Sequence, residues 1–367
     1  MKFSIYSLFT ITLALTLFLL ASCGDDPDMC TESTWYIDND GDGLGDPDVT
    51  FEACEAPTGY VANGDDLNDE DSANMLVVDV DASLFQTDGN GLTITTVDCT
   101  LSDGTATQCY EIVTNSTPSG HSMGPWCPEN IADDASAGGI WLEGGEVYDV
   151  DGAFVENMAT FYNDETWQMY DANGDIFVTE TEEDCINAAN PNVGDAYRNF
   201  CVECLPSYIT SVSNTWLIPV TPVFQTNPTE YQMGPGGPGG NAAPSTRGLA
   251  LSGVEFSAPA PVNNILGAYT LAPFDDAGGH INVNQGYHYH AATGISHSVE
   301  QSDGHAPLIG YALDGYGIYS AEDANGNAPT DLDDCRGHSD DVRGYHYHVD
   351  EAGNNNFINC LHGAYAN

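Results

Sequence analysis

FDDAGGHINVNQGYHYH, residues 274–290, aligns without a gap on LDDCRGHSDDVRGYHYH, residues 332–348. Both stretches close on Gly-Tyr-His-Tyr-His, and in both a Gly-His pair places its histidine eight residues before the first histidine of that closing motif. Upstream, GLALSGVEFS (248–257) matches GYALDGYGIYS (310–320), so residues 248–367 carry two copies of one unit. Two copies of a supersecondary unit pack as a pseudo-symmetric pair, which predicts matching strands close together in space.

Side chains alternate faces along a strand, so His288 and His290 share one face while Tyr287 and Tyr289 share the other. The same holds for His346 and His348 against Tyr345 and Tyr347. Two imidazoles at that spacing converge on one ion, and copper or zinc, with bonds to nitrogen of about 2.0–2.1 Å, needs one or two further ligands. His280 and His338 supply one per copy, and His305, in SDGHAPLIGYALDG, is another candidate. Two other readings stand beside metal ligation. One is a buried hydrogen-bond network partnered by Asp275, Asp276, Asp333 and Asp334; the other is metal-free acid–base catalysis. Asp314, in ALDGYGIY, is the candidate general base, although Ser252 replaces it in the other copy. His121 and Met123, in GHSMGP, form either a softer secondary metal pair or a turn with packing residues.

The chain contains no GxSxG, HExxH or phosphate-binding loop. A cupin is excluded by counting, because Asn282 and Asp340 stand where that fold's glycine belongs, and neither Gly294 and Ile295 nor Ala352 and Gly353 supply its glutamate. Strand signals dominate elsewhere. TWQMYDANGDIFV (166–178) reads as a hairpin around Asn173 and Gly174, and IWLEGGEVYDVDGAFV (140–155) as short strands separated by GG and DG turns. EEDCINAA (182–189) is the best helix, and MGPGGPGGNAAPST (233–246) a Gly/Pro linker. The expected class is mainly β.

Charge narrows the partners. Against 56 Asp plus Glu there are 5 Lys plus Arg. Such a surface repels phosphate backbones and anionic membranes, which excludes nucleic acid and leaves metal ions as the expected small partners. An acidic shell that keeps a secreted protein soluble explains the same composition.

Residues 1–22 have one lysine, an apolar run and then small residues, the pattern of a secretory signal. LASC (20–23) resembles the bacterial lipobox, which implies cleavage before Cys23, lipidation of its thiol and membrane contact through that lipid alone. The GDD that follows is similar to tags that send lipoproteins to the outer cell surface. Ten cysteines remain, an even number in an exported chain, which argues for disulfides; Cys30 with Cys54 and Cys335 with Cys360 each close a local loop. CVEC (201–204) fits structural disulfides, a redox pair or half of a zinc site.

WYIDNDGDGLGDPD (35–48) places Asp38, Asp40 and Asp42 at alternate positions, then Gly43 and Asp46, with the carbonyl of Leu44 available between them. That is the first half of a calcium loop, but Val49 stands where an EF-hand needs glutamate. The cluster GDDLNDED (64–71) offers Asp65, Asp66 and Asp69 instead. Together with ACEAPTGYV, these segments resemble the thrombospondin-type-3-like repeat known as the MopE-type module. The resemblance implies a small calcium-binding stalk over 34–75; no soft or imidazole ligand there supports copper.

From about 248 onward the chain resembles the YHYH domain, a bacterial family whose members pair GxALxGxxIY and DxCxGH segments with YHYH. TNSTPSGHSMGP and RNFCVEC, within 105–247, are similar to its longer members. The resemblance implies that Cys335, for which the first copy has Ala277, bonds to Cys360. The expected organisation is therefore a signal peptide (1–22), a tether (23–33), a calcium module (34–75) and a β-rich domain (76–367) with its duplicated core at 248–367. The expected protein is a lipid-anchored cell-surface or outer-membrane protein that binds copper or zinc through the duplicated histidines. A metal-dependent hydrolase or oxidoreductase, and an adhesion or glycan-binding module, are the alternatives.

Overall fold

The computed structural model describes residues 33–366 apart from 42, 65, 67–75, 191, 193 and 232–244. The leader, Cys23, Cys30, the tether as far as residue 32, most of the Gly/Pro linker, and Asp42, Asp65 and Asp69 therefore lie outside the described residues. The protein is mainly β. Its longest helix among the described residues has seven residues.

Three short strands, β1 (Ser33–Ile37), β2 (Thr50–Ala53) and β3 (Tyr60–Val61), form an antiparallel sheet in the order β2-β1-β3. β4 (Thr93–Thr100) and β5 (Ala106–Thr114) follow as a long antiparallel pair. β6 (Ile140–Glu143) and β7 (Glu146–Asp149) are joined through Gly144 and Gly145, whose φ values of 65° and 87° suit a tight hairpin turn. The DG that follows starts a helix rather than another turn between strands. The Asp151 carboxylate accepts the Phe154 N–H and so caps α1 (Gly152–Glu156). After α2 (Met158–Phe161), the hairpin expected around Asn173 and Gly174 contracts to a single bridge between Tyr170 and Ile176. Asp171 explains the contraction, because its side chain captures the N–H groups of Asn173 and Asp175 and tightens the turn locally.

The expected helix is present as α3 (Glu182–Ala188), capped by Thr181 and carrying Glu182, Glu183 and Asp184 in its first turn, where negative charge is favoured. Its cysteine, Cys185, bonds to Cys204, while Cys201 bonds to Cys127. CVEC is thus divided between two separate disulfides and is neither a redox pair nor half of a zinc site. Cys99–Cys109 and the expected Cys335–Cys360 complete the pairs whose two partners are both described.

β8 (Phe200–Cys201) precedes β9 (Asn214–Pro219), which adds to β5 and completes the sheet β4-β5-β9. β10 (Phe224–Glu230) comes next, and then the duplicated unit. Its first copy supplies β11 (Gly248–Ala250), β12 (Glu255–Phe256), α4 (Val262–Gly267), β13 (Thr270–Leu271), β14 (Gly279–Asn282) and β15 (Gly286–Tyr289). The second supplies β16 (Leu308–Ala312), β17 (Gly317–Tyr319), β18 (Gly337–Asp340) and β19 (Gly344–His348), and β20 (Cys360–Gly363) returns to pair with β10.

Eight of these strands form one sheet in the order β14-β15-β12-β11-β16-β17-β19-β18. Each copy contributes four adjacent strands, and the order in one copy is the reverse of the order in the other. At the centre β11 and β16 run antiparallel with Leu249 opposite Tyr311, residues that hold the same place in the two copies. In both copies the YHYH strand pairs in parallel with an inner strand and antiparallel with the outer Gly-His strand.

The tyrosine face of the sheet lies in the largest core, where Tyr287, Tyr289, Tyr347 and Phe256 are almost fully buried against Phe357 and Leu361. Leu249, Leu251 and Tyr311 pack instead with Ile112 and Ile218 of the β4-β5-β9 sheet. Each such side chain, fully buried, contributes on the order of 1.5–3 kcal/mol. The central strands, with burial on both faces, thereby fix the register that the histidines depend on.

Candidate metal centres

The eight-residue spacing between each Gly-His and its YHYH is a hairpin register. His280 sits directly opposite His288 across β14–β15, and His338 directly opposite His346 across β18–β19. The turn residues explain the match. The Asn282 carbonyl oxygen of the side chain accepts the N–H groups of Asn284 and Gln285, and the Asp340 carboxylate accepts those of Val342 and Arg343. Gly286 and Gly344, with φ of 95° and 61°, then return the chain into the strand. His290 and His348, two residues farther along, complete a triangle on the same face.

In the first copy the three imidazole centroids are each 4.8 Å from the other two. In the second, His305 arrives from the loop before β16 as a fourth member, 4.9 Å from both His346 and His348. The copies do not share one site. His280, His288 and His290 form one group, and His305, His338, His346 and His348 another, with ligand atoms in each group within 4.8 Å of one another.

Hydrogen bonding assigns the ring nitrogens. Carbonyl and carboxylate oxygens can only accept, so an Nδ1 facing one must carry the proton. The Nδ1–H of His288 and of His346 donates to the carbonyl of Gly286 and of Gly344, at 3.0 and 2.9 Å. Those of His290 and His348 donate to Ala258 and Ser320, at 2.6 and 2.8 Å, and these acceptors are again equivalent positions. His305 donates to the Ala306 carbonyl and His338 to the Asp331 carboxylate, at 3.0 and 2.9 Å. In neutral rings every one of those Nε2 atoms is therefore a bare acceptor.

These acceptors point at one another. In the second copy the Nε2 of His346 lies 3.0 Å from the Nε2 atoms of both His305 and His338, and His338 lies 3.2 Å from His348. In the first, the Nε2 atoms of His280 and His290 are 3.1 Å apart. A tetrahedral ion with bonds of about 2.0–2.1 Å separates its ligand nitrogens by about 3.3–3.4 Å, close to the distances seen. The donation of each outer N–H to an oxygen is the support that metal-ligating histidines characteristically have. His280, in place of such a bond, stacks on Phe274 at 5.0 Å.

Burial keeps the rings neutral. It pushes His288 down to about 4 and His348 down to about 3, the latter with further repulsion from the neighbouring imidazole of His338. Burial and then adjacent imidazoles hold His290 and His346 well below the ordinary range, and burial and then His288 do the same for His280. His305 is lowered chiefly by burial. Neutral imidazole is the form that binds a metal.

The tyrosines do the work expected of the buried network, on the opposite face. The Tyr287 hydroxyl donates to Asp275 at 2.8 Å and that of Tyr345 to Asp333 at the same distance. Tyr347 donates to Asp314 at 2.6 Å, whereas Tyr289 meets Ser252, the residue equivalent to Asp314, together with His121. The hydrogen-bond and metal readings thus fall on different faces of the same strand. The histidines make no hydrogen bond to Asp275, Asp276, Asp333 or Asp334, except that His362 forms an ion pair with Asp333.

Several sequence candidates are placed elsewhere. Asp314 is fully buried, and its carboxylate accepts from Tyr347 and from the backbone of Tyr316 and Gly363, on the tyrosine face and not among the clustered imidazoles. A general base at the histidine clusters is not its position. His121 is bonded to Tyr289 at 2.6 Å, and Met123 packs against the main core, so the pair does not form a metal group. Asp333, Cys335 and His362 come together as a third group, but the Cys335 sulfur is committed to Cys360.

In the acidic module the 38–46 loop and the segment 63–66 lie side by side, joined by Gly45 N–H to Asn63 and Asp66 N–H to Gly45. The Asp38 carboxylate accepts the N–H groups of Gly41 and Gly43, and Asp40 and Asp66 are buried. Asp46 turns its side chain to the Asp48 N–H, and Leu44 lies in the same loop. The module rests on the second copy, where Ser339, next to His338, donates to the Gly41 carbonyl.

Residues 215–331 match the family model described as YHYH protein. The matched span covers β9 through the loop after β17, so it takes in the first YHYH motif and His305 but ends before the second motif. No curated protein and no solved structure matches. The seven histidines that cluster are all candidates from the sequence, but their partition is not, because His305, ahead of the β16–β17 hairpin, reaches the second cluster through the pairing of β17 with β19, which is distant in sequence.

Proposed function

We propose that this chain is a cell-surface lipoprotein whose YHYH domain binds two transition-metal ions, copper or zinc, one on each histidine cluster. The observation that carries the reading is the convergence of the Nε2 atoms of His305, His338, His346 and His348, with all four Nδ1 atoms committed to oxygen acceptors. Four neutral lone pairs aimed at one point repel unless a cation lies between them. An all-imidazole set near tetrahedral geometry favours zinc, and imidazole also suits copper. The acidic module binds calcium in this reading, supported by the contact between the 38–46 loop and the segment 63–66. The lipobox-like LASC supports attachment through Cys23.

Elemental analysis of the exported, tag-free chain tests it. The expected result is two equivalents of copper or zinc in the intact protein, and a large loss when His288→Ala and His346→Ala are combined. Unchanged metal content in the double variant would overturn the reading.

A further inference from the structure

The two clusters differ in the groups that surround them. In the second, Tyr319 stands over the imidazoles, its ring 4.8 Å from His305 and 5.0 Å from His346, and His305 takes the fourth ligand position. In the first copy the residue equivalent to Tyr319 is Ser257. The equivalence is structural: Phe256 pairs with Tyr289 as Ile318 pairs with Tyr347, and the next carbonyls, Ala258 and Ser320, accept from equivalent histidines. Five residues before Gly248 the sequence has Ala243, which lies outside the described residues, whereas His305 stands five residues before the equivalent Gly310.

Where the second copy has Tyr319, the first has Ser257 and a cavity of about 440 Å³, with His280, His288 and His290 forming part of its wall; the cavity beside His338 in the second copy is about 130 Å³. Trp126, Ile186, Val202, Pro259, Ile265 and Val283 supply apolar surface, and Ser257 and Gln285 supply polar groups. In a chain with 56 acidic residues, no Asp, Glu, Lys or Arg is among the described residues lining this cavity. Its volume is within the range of small-molecule sites, roughly 300–1,000 Å³, and an apolar wall with a few convergent polar groups is their usual composition. Closed four-ligand sites are structural, whereas three protein ligands leave a position for an exogenous donor.

We propose that the first cluster is an open coordination site that takes a small, uncharged, largely apolar organic ligand through one donor atom, while the second is closed. This rests on the metal reading above. The ligand's donor completes the three-histidine set and its apolar body fills the cavity; Tyr319 and His305 deny both spaces in the second copy.

The test uses the full exported chain loaded with cobalt(II) and titrated with phenylimidazole, a nitrogen donor carrying an apolar ring. The chain is expected to hold two cobalt ions, and phenylimidazole to shift the visible bands of one. The shift should persist in His338→Ala with His346→Ala and disappear in His280→Ala with His288→Ala. Ser257→Tyr should keep both ions and weaken phenylimidazole binding at least about tenfold. Two bound cobalt ions with no spectral response, or a response that survives loss of His280 and His288, would overturn the open site while leaving the metal reading intact. Failure to take up cobalt, copper or zinc would overturn the metal reading and this proposal with it.

Discussion

His338 and His346 face each other across the β18–β19 hairpin with their Nε2 atoms 3.0 Å apart and their Nδ1 protons turned outward, to Asp331 and to the Gly344 carbonyl. The carboxylate partner of His338 is the one member of that outer set supplied by a side chain. Removing such a partner costs roughly 10–100-fold in metal affinity. Asp331→Ala is expected to weaken metal binding at the second cluster by that factor and to leave the first unchanged, as measured by competition with a chromophoric chelator. Equal affinities in variant and parent would remove Asp331 from the site.

The metal-free chain should be acid-sensitive. Burial lowers His288 to about 4 and His348 to about 3 when folded, against an ordinary value near 6.5 when unfolded. Between those values the unfolded chain binds more protons than the folded one, so stability is retained above about pH 6.5 and is lost as pH falls toward 4 and 3. Each such histidine contributes up to about 1.4 kcal/mol per pH unit in that window. Thermal melts of chelator-treated protein should show Tm falling from pH 7 to pH 5; a flat profile would contradict burial of neutral imidazoles.

The opposite face predicts a different phenotype. Tyr287 donates to Asp275, which is buried and whose carboxyl is raised by that burial in spite of the donors around it. Tyr287→Phe leaves that acceptor short of a partner, at a cost of about 1–3 kcal/mol. Urea denaturation should show the loss, while metal stoichiometry stays at the parent value. Loss of metal at parental stability would mean that the two faces are not separate in function.

Cys335–Cys360 ties the second copy to the C-terminal strand across 25 residues. A loop of that length corresponds to roughly 3 kcal/mol in the chain-entropy account of disulfides. Cys335→Ala with Cys360→Ala should lower the stability of the metal-free chain by about that amount. A much smaller change would place the constraint in the strand pairing of β10 with β20 instead.

The sequence made the β class, the duplication and the clustered histidines legible, because period-2 alternation and the constant 58-residue offset between 274–290 and 332–348 survive without knowledge of contacts. It also made the Cys335–Cys360 pair legible through family resemblance. It did not reveal that Gly-His and YHYH form a hairpin, since the turn between them lacks the usual Asn-Gly signal and is set by Asn282 and Asp340 through side chain to backbone bonds. Asp314, the candidate general base, carries no local sign of its burial. Tyr347 and the Gly363 backbone, distant in sequence, bury it instead. The separate roles of Ser257 and Tyr319 depend on the parallel pairings β12–β15 and β17–β19, which no local pattern announces.

X-ray absorption at the metal edge of the chain, loaded with zinc, tests the central claim most directly. The account predicts a first shell dominated by imidazole nitrogen at about 2.0–2.1 Å, with three histidines per ion in one cluster and four in the other, and no sulfur. A shell containing sulfur, or one of oxygen atoms without the imidazole outer-shell pattern, would contradict it.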